Sequence, residues 1–140
     1  MIITDQTPDG FLTVNLIDIL QQITPTVLNS TWKIANLECL GTTAEALYKI
    51  CDEEQQISGE LLLELATEIT QVIEGKFEAY DRDRTQPWLI ITAVDSSAYD
   101  IETVNDKILD CLRQQFQQVQ DFPSLPSMKS DWAAIAISQG

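Results

Sequence analysis

At Thr70 the spacing of apolar residues changes. Before it, Leu61, Leu62, Leu65 and Ile69 recur at helical intervals; after it, Ile73, Gly75, Phe77 and Ala79 alternate with Glu74, Lys76, Glu78 and Tyr80. Successive strand side chains point to opposite faces, so this alternation predicts a strand with one wet face. Trp88 to Val94 is apolar on both alternating faces apart from Thr92, the pattern of a central strand covered on both sides or paired on both edges, and Tyr99, Ile101 and Thr103 alternate once more with Asp100 and Glu102. Turn-forming segments, 81–87 and 95–98, separate the three strands, which predicts an antiparallel meander over 72–80, 88–95 and 99–103.

Helices are expected to cover it. Val104, Ile108, Cys111, Leu112, Phe116 and Val119 share one face of a helix near 104–119, which places Leu112 and Phe116 in the core. Upstream, Leu12, Leu16, Ile19, Leu20 and Ile23 mark a first helix that follows Thr7-Pro8-Asp9-Gly10 and is ended by Pro25. Trp32 to Leu40, closed by Gly41, lacks helical spacing and reads as a strand. Thr42-Thr43-Ala44-Glu45 fits a capping box that opens a helix carrying Ala44, Leu47, Tyr48 and Cys51. Ser58 caps the next helix, and the two together predict an αα-hairpin. The expected fold class is α+β: a three- to four-stranded, mainly antiparallel sheet covered by helices, in the order α-β-α-α-β-β-β-α.

The chain has 140 residues, of which 44% are hydrophobic, and a net charge of -14 with no His. A chain of this length buries roughly 70% of its unfolded surface, enough for a core without metals or disulfides. Residues 1–122 are expected to form one α+β domain, followed by a Pro- and Ser-containing tail, 123–140, that docks on the domain or on a partner. Strong negative charge repels phosphate backbones, so a nucleic-acid partner is not expected. No stretch approaches the roughly 18 apolar residues of a membrane span, and the first ten residues carry no signal-peptide pattern, so the expectation is a cytoplasmic protein with no membrane association. Cys39, Cys51 and Cys111 match neither a zinc site nor a disulfide framework and are expected to be core thiols in a reducing compartment.

Catalytic chemistry is poorly represented. Asp81-Arg82-Asp83-Arg84-Thr85 has the D-x-D-x-T form of the haloacid dehalogenase phosphatases, whose nucleophile ends a buried parallel strand. Here the preceding segment alternates with charges and another strand follows at once, the context of a solvated hairpin loop. Asp95, Ser96 and Ser97 at a sheet edge, with Tyr99, form an alternative ligand site or a His-free active site, set against the reading of 95–97 as an Asx and Ser turn. No glycine-rich phosphate loop, metal-ligand spacing or other cofactor motif is present, so no cofactor and no metal is expected and no catalytic residue is assigned.

Charge is the more informative feature, because half of the net charge of -14 falls within residues 42–86. Glu60, Glu64 and Glu68 recur every four residues beside Asp52-Glu53-Glu54. These six are the candidate partner-binding residues, although such a row is also what the wet face of an amphipathic helix looks like. The resulting expectation is a non-enzymatic regulatory or interaction domain for a basic protein, in the manner of an immunity protein or antitoxin. Trp88 is expected in the core, with Trp32 and Trp132 as surface anchors and Trp132-Ala133-Ala134-Ile135-Ala136-Ile137 as an apolar patch suited to a homodimer contact.

The segments Ile57 to Leu62, Ile73 to Tyr80 and Pro87 to Ser97 resemble parts of small bacterial proteins to which no activity is assigned. The resemblance implies a bacterial α+β domain and transfers no functional residue.

Overall fold

The computed structural model describes residues 1–82 and 84–121. Its elements run β1 (Ile2–Ile3), α1 (Leu16–Gln22), α2 (Thr24–Leu28), β2 (Thr31–Gly41), α3 (Ala44–Asp52), β3 (Ile57–Ser58), α4 (Gly59–Thr67), β4 (Ile69–Tyr80), β5 (Leu89–Val94), β6 (Ala98–Thr103), α5 (Asp106–Gln115) and β7 (Val119–Gln120). The strands form one antiparallel sheet in the order β3-β2-β4-β5-β6-β1-β7. The α+β class therefore holds. The sheet has seven strands rather than three or four, and the expected element order omits β1, β3, β7 and the second helix, α2.

The meander is where the alternation puts it. Phe77 lies opposite Ile91, which lies opposite Ile101, while Ala79 faces Leu89 and Ala93 faces Tyr99. All seven are buried, and with Ile3, Trp32, Leu16, Ile19, Leu20, Leu62 and Leu112 they form the core beneath α1, α4 and α5. Burying a Leu, Ile or Phe side chain of this kind contributes about 1.5–3 kcal/mol. Lys76, Glu78, Ile90, Thr92, Asp100 and Glu102 occupy the alternate positions and are half-buried. β5 accordingly satisfies its unusual pattern by pairing on both edges, with β4 and β6.

Several local expectations are corrected. Pro25 starts a helix instead of ending one: it stands in the first turn of α2, where a missing backbone N–H costs nothing. The capping box at Thr42 does not form; Thr43 is the N-cap of α3, and its hydroxyl donates to the Leu65 carbonyl at the far end of α4 (2.6 Å). α3 and α4 are not a packed hairpin, because β3 intervenes; α3 packs on β2, whereas α4 packs on α1 and α2. Ser58 does cap α4, accepting the Leu61 amide at 3.1 Å.

The last helix is shorter than its apolar spacing suggests. Asn105 caps it by accepting the Lys107 and Ile108 amides (3.0 and 3.2 Å), which leaves Val104 outside the helix and 96% exposed. At its other end the Asp5 carboxylate accepts the amides of Gln117 and Gln118 (2.9 and 2.6 Å). The chain is thereby turned out of the helix at Phe116, which is half-buried, and into β7, which holds Val119. Leu112 is fully buried as expected.

Trp32 is no surface anchor. It is 0% exposed, and its indole N–H donates to the Val27 carbonyl at 3.2 Å. Trp88 is half-buried against the core and donates its N–H to the Ser30 hydroxyl at 2.8 Å, so both indoles are tied to the segment around Val27–Ser30. The Tyr48 hydroxyl of α3 bonds both the amide and the carbonyl of Cys39 (2.8 and 3.1 Å), which closes part of the outer edge of β2 against pairing with another strand. The tail 123–140, with Trp132, the apolar patch and the homodimer contact read from it, lies outside the described residues, as does Asp83.

Candidate functional site

The six acidic residues singled out by charge fall on two neighbouring stretches of chain. Asp52 ends α3, Glu53 is its C-cap, and Glu54 follows with a positive φ of 53° that turns the chain toward β3. Glu60 and Glu64 lie one turn apart on α4, and Glu68 caps its C-terminus. All six are exposed. The ion pairs among the described residues join Arg113 to Asp110 and Asp121, Lys76 to Glu78, and the Met1 amine to Asp100; none involves these six. Glu53 instead accepts a hydrogen bond from the Gln55 side chain at 2.6 Å. Physically, each stretch is a group of like charges, able to attract cations over roughly a Debye length of 8–10 Å.

The alternative site is not brought together. Asp95, exposed, and Ser96, half-buried, lie between β5 and β6 with φ of 47° and 57°, a left-handed pair within the three-residue connection 95–97 that joins the paired Val94 and Ala98. Ser97 donates its hydroxyl to the Val94 carbonyl at 2.9 Å, which is the local turn bonding expected of it. Tyr99 is 1% exposed and points into the core beside α1. Burial, with the nearby Asp18 charge, pushes its hydroxyl far above the usual tyrosine range, against the opposing effect of a hydrogen bond with the Leu16 backbone.

Asp81, Arg82, Arg84 and Thr85 are exposed in the loop after β4, and β4 is antiparallel to both neighbours. The parallel-strand context required by the phosphatase reading is therefore missing. Of the thiols, Cys39 is buried and Cys51 and Cys111 are half-buried, all unbridged. Burial pushes the Cys39 thiol up, only partly offset by a hydrogen bond from Tyr48, which makes it a poor nucleophile.

One feature escaped the sequence reading. At the end of the sheet where β4 stops and β5 begins, two adjoining hollows flank Trp88. One of about 370 Å³ is lined by Asp81, Arg84, Thr85, Gln86, Pro87 and Trp88. The other, of about 280 Å³, is lined by Thr26, Asp81, Trp88, Thr103, Val104 and Asn105. Most polar groups near the second are already engaged: Thr26 donates to the Ile23 carbonyl (2.7 Å), Thr103 donates to the Trp88 carbonyl (2.7 Å), and Asn105 caps α5. Its open surface is thus mainly the Trp88 ring and Val104. Its residues come from four separate stretches of chain, so no local pattern announces it; Pro87-Trp88 beside a loop is the one sequence cue.

Among the described residues, no group of three or more Cys, Asp or Glu is placed to hold a metal ion, and no helix is long and apolar enough to cross a membrane. Comparison with protein-family models, with curated proteins and with solved structures finds no match.

Proposed function

We propose that this chain is a non-enzymatic interaction module of the cytoplasm that presents Asp52, Glu53, Glu54, Glu60, Glu64 and Glu68 to a basic protein partner. The observation carrying this reading is that all six carboxylates are exposed and none is neutralised by an ion pair among the described residues. Such a field raises the association rate of a cationic partner more than it raises affinity. The unbridged cysteines suit a reducing compartment. Nothing favours the ligand-site alternative of Asp95, Ser96 and Tyr99, since the Tyr99 hydroxyl is turned away from the Asp95–Ser96 tip. The test is the association rate of a basic protein, recovered with the wild-type chain, measured against Glu60→Gln/Glu64→Gln/Glu68→Gln at two ionic strengths. The triple variant should bind several-fold more slowly at low salt and nearly alike at high salt; equal low-salt rates would reduce the row to a solvated helix face.

A further inference from the structure

We propose that the two hollows beside Trp88 are the docking site for this chain's own Pro123-Ser124-Leu125-Pro126 segment. Residues 122–140 enter here through their sequence alone. Three features of the described part point to that occupant.

The first is the surface. An indole standing between two hollows, with Pro87 on one side and Val104 on the other, offers an apolar wall to each; the polar groups of the second are mostly engaged, whereas Asp81, Arg84, Thr85 and Gln86 rim the first. Aromatic-lined grooves of this kind take proline-containing segments, which arrive with little conformational entropy to lose. In a polyproline II stretch, with three residues per turn and a rise of about 3.1 Å, Pro-x-x-Pro sets both rings on one side about 9 Å apart, so that the second can stack on an indole while the first approaches it along the same face.

The second is the route. β6 and β7 are both antiparallel to β1 and hence parallel to each other, so the chain leaves Gln120 heading toward the end of β6 where Thr103, Val104 and Asn105 line the second hollow. Through Ile2, Gln120 is level with Asp100, while Leu89, next to Trp88, is level with Thr103. Three strand spacings of about 4.8 Å and a rise of about 13 Å put Trp88 roughly 20 Å from Gln120. Six residues span at most about 20 Å, so Pro126 reaches Trp88, while Leu125 falls near Val104, two strand spacings and roughly 16 Å from Gln120. The third is charge: Lys129 stands three residues beyond Pro126, and Asp81 borders both hollows.

The experiment uses the full chain and Pro123→Ala/Pro126→Ala, which leaves every described residue unchanged. By NMR, the wild type should show contacts between the Trp88 ring and Pro126 that persist on dilution, and the double variant should lose them and shift the Val104 and Asn105 amides. A synthetic peptide copying residues 121–131 should bind the double variant at these positions. It should bind the wild type at least tenfold more weakly, because a tethered segment occupies the groove at millimolar effective concentration. Unchanged Val104 and Asn105 amides, equal peptide affinity for both chains, or no peptide binding at all would overturn the proposal. So would contacts that fade on dilution, which would assign the groove to a second copy's tail.

Discussion

Replacing Gly59 by Ala sets two effects of opposite sign against each other. Gly59 is the first residue of α4 and is buried where that helix meets the end of α2. A Cβ there would lie 1.8 Å from the Val27 carbonyl oxygen, 2.5 Å from its carbon and 3.0 Å from Leu28 Cα. Ordinary contact begins at 3.4 Å, and all three atoms are backbone, so no side chain can swing away to make room. In favour of Ala stands its helix propensity, at most about 1 kcal/mol over Gly. Against it stands the overlap, which forces α4 away from α2 by more than an ångström and costs about 3 kcal/mol or more, at the upper end of overpacking. The overlap wins. The same carbonyl accepts the Trp32 indole N–H and the Ser30 amide, so moving it also disturbs a fully buried tryptophan. We expect a net loss of about 2 kcal/mol or more and a fall in Tm of roughly 5–10 °C. Urea unfolding followed by tryptophan fluorescence, alongside a thermal melt, measures both. An unchanged or higher midpoint for Gly59→Ala would refute the close approach of α4 to α2.

Leu112→Ala removes a fully buried side chain of α5 and should destabilise by about 2–5 kcal/mol in the same urea assay, whereas Val104→Ala, at an exposed position, should change stability by less than about 0.5 kcal/mol. Tyr99 gives a pH dependence whose sign is fixed by its raised pKa: its contribution is complete below the ordinary tyrosine value of 10.0 and is lost as pH rises above it, because the unfolded chain ionises there first. Stability should fall by up to about 1.4 kcal/mol per pH unit above pH 10 from this residue, and Tyr99→Phe should flatten that decline; identical slopes in the two proteins would place the hydroxyl in water.

The meander was legible because each of its strands is long enough to show a period, as Phe77, Ala79, Ile91 and Ile101 do. β1, β3 and β7 have two residues each, too few for any period, and exist only through partners far away in the chain. α5 was found but mis-bounded, since its limits are set by Asn105 and Asp5, residues whose roles are polar and, for Asp5, more than a hundred positions distant. The acidic row was legible as a four-residue spacing on a helix. For Tyr99 the sequence held the answer: its alternation with Asp100 already placed it on the same face as Ile101, the buried one. The hollows beside Trp88 were not legible, because α2, the loop after β4, the start of β5 and the cap of α5 meet there only in three dimensions.

The position of β1 within the sheet governs the order in which the molecule can assemble. The hairpins of β4, β5 and β6 close across short loops, whereas Ile2 must find Asp100 on one side and Gln120 on the other. Closing a loop of about a hundred residues instead of about five costs nearly 3 kcal/mol more in chain entropy, so β1 gains a place only after β6 is already built. Until residues 2 and 3 arrive, β6 carries a bare edge, and a folding chain at high concentration can fill it with the wrong partner, a strand of its neighbour.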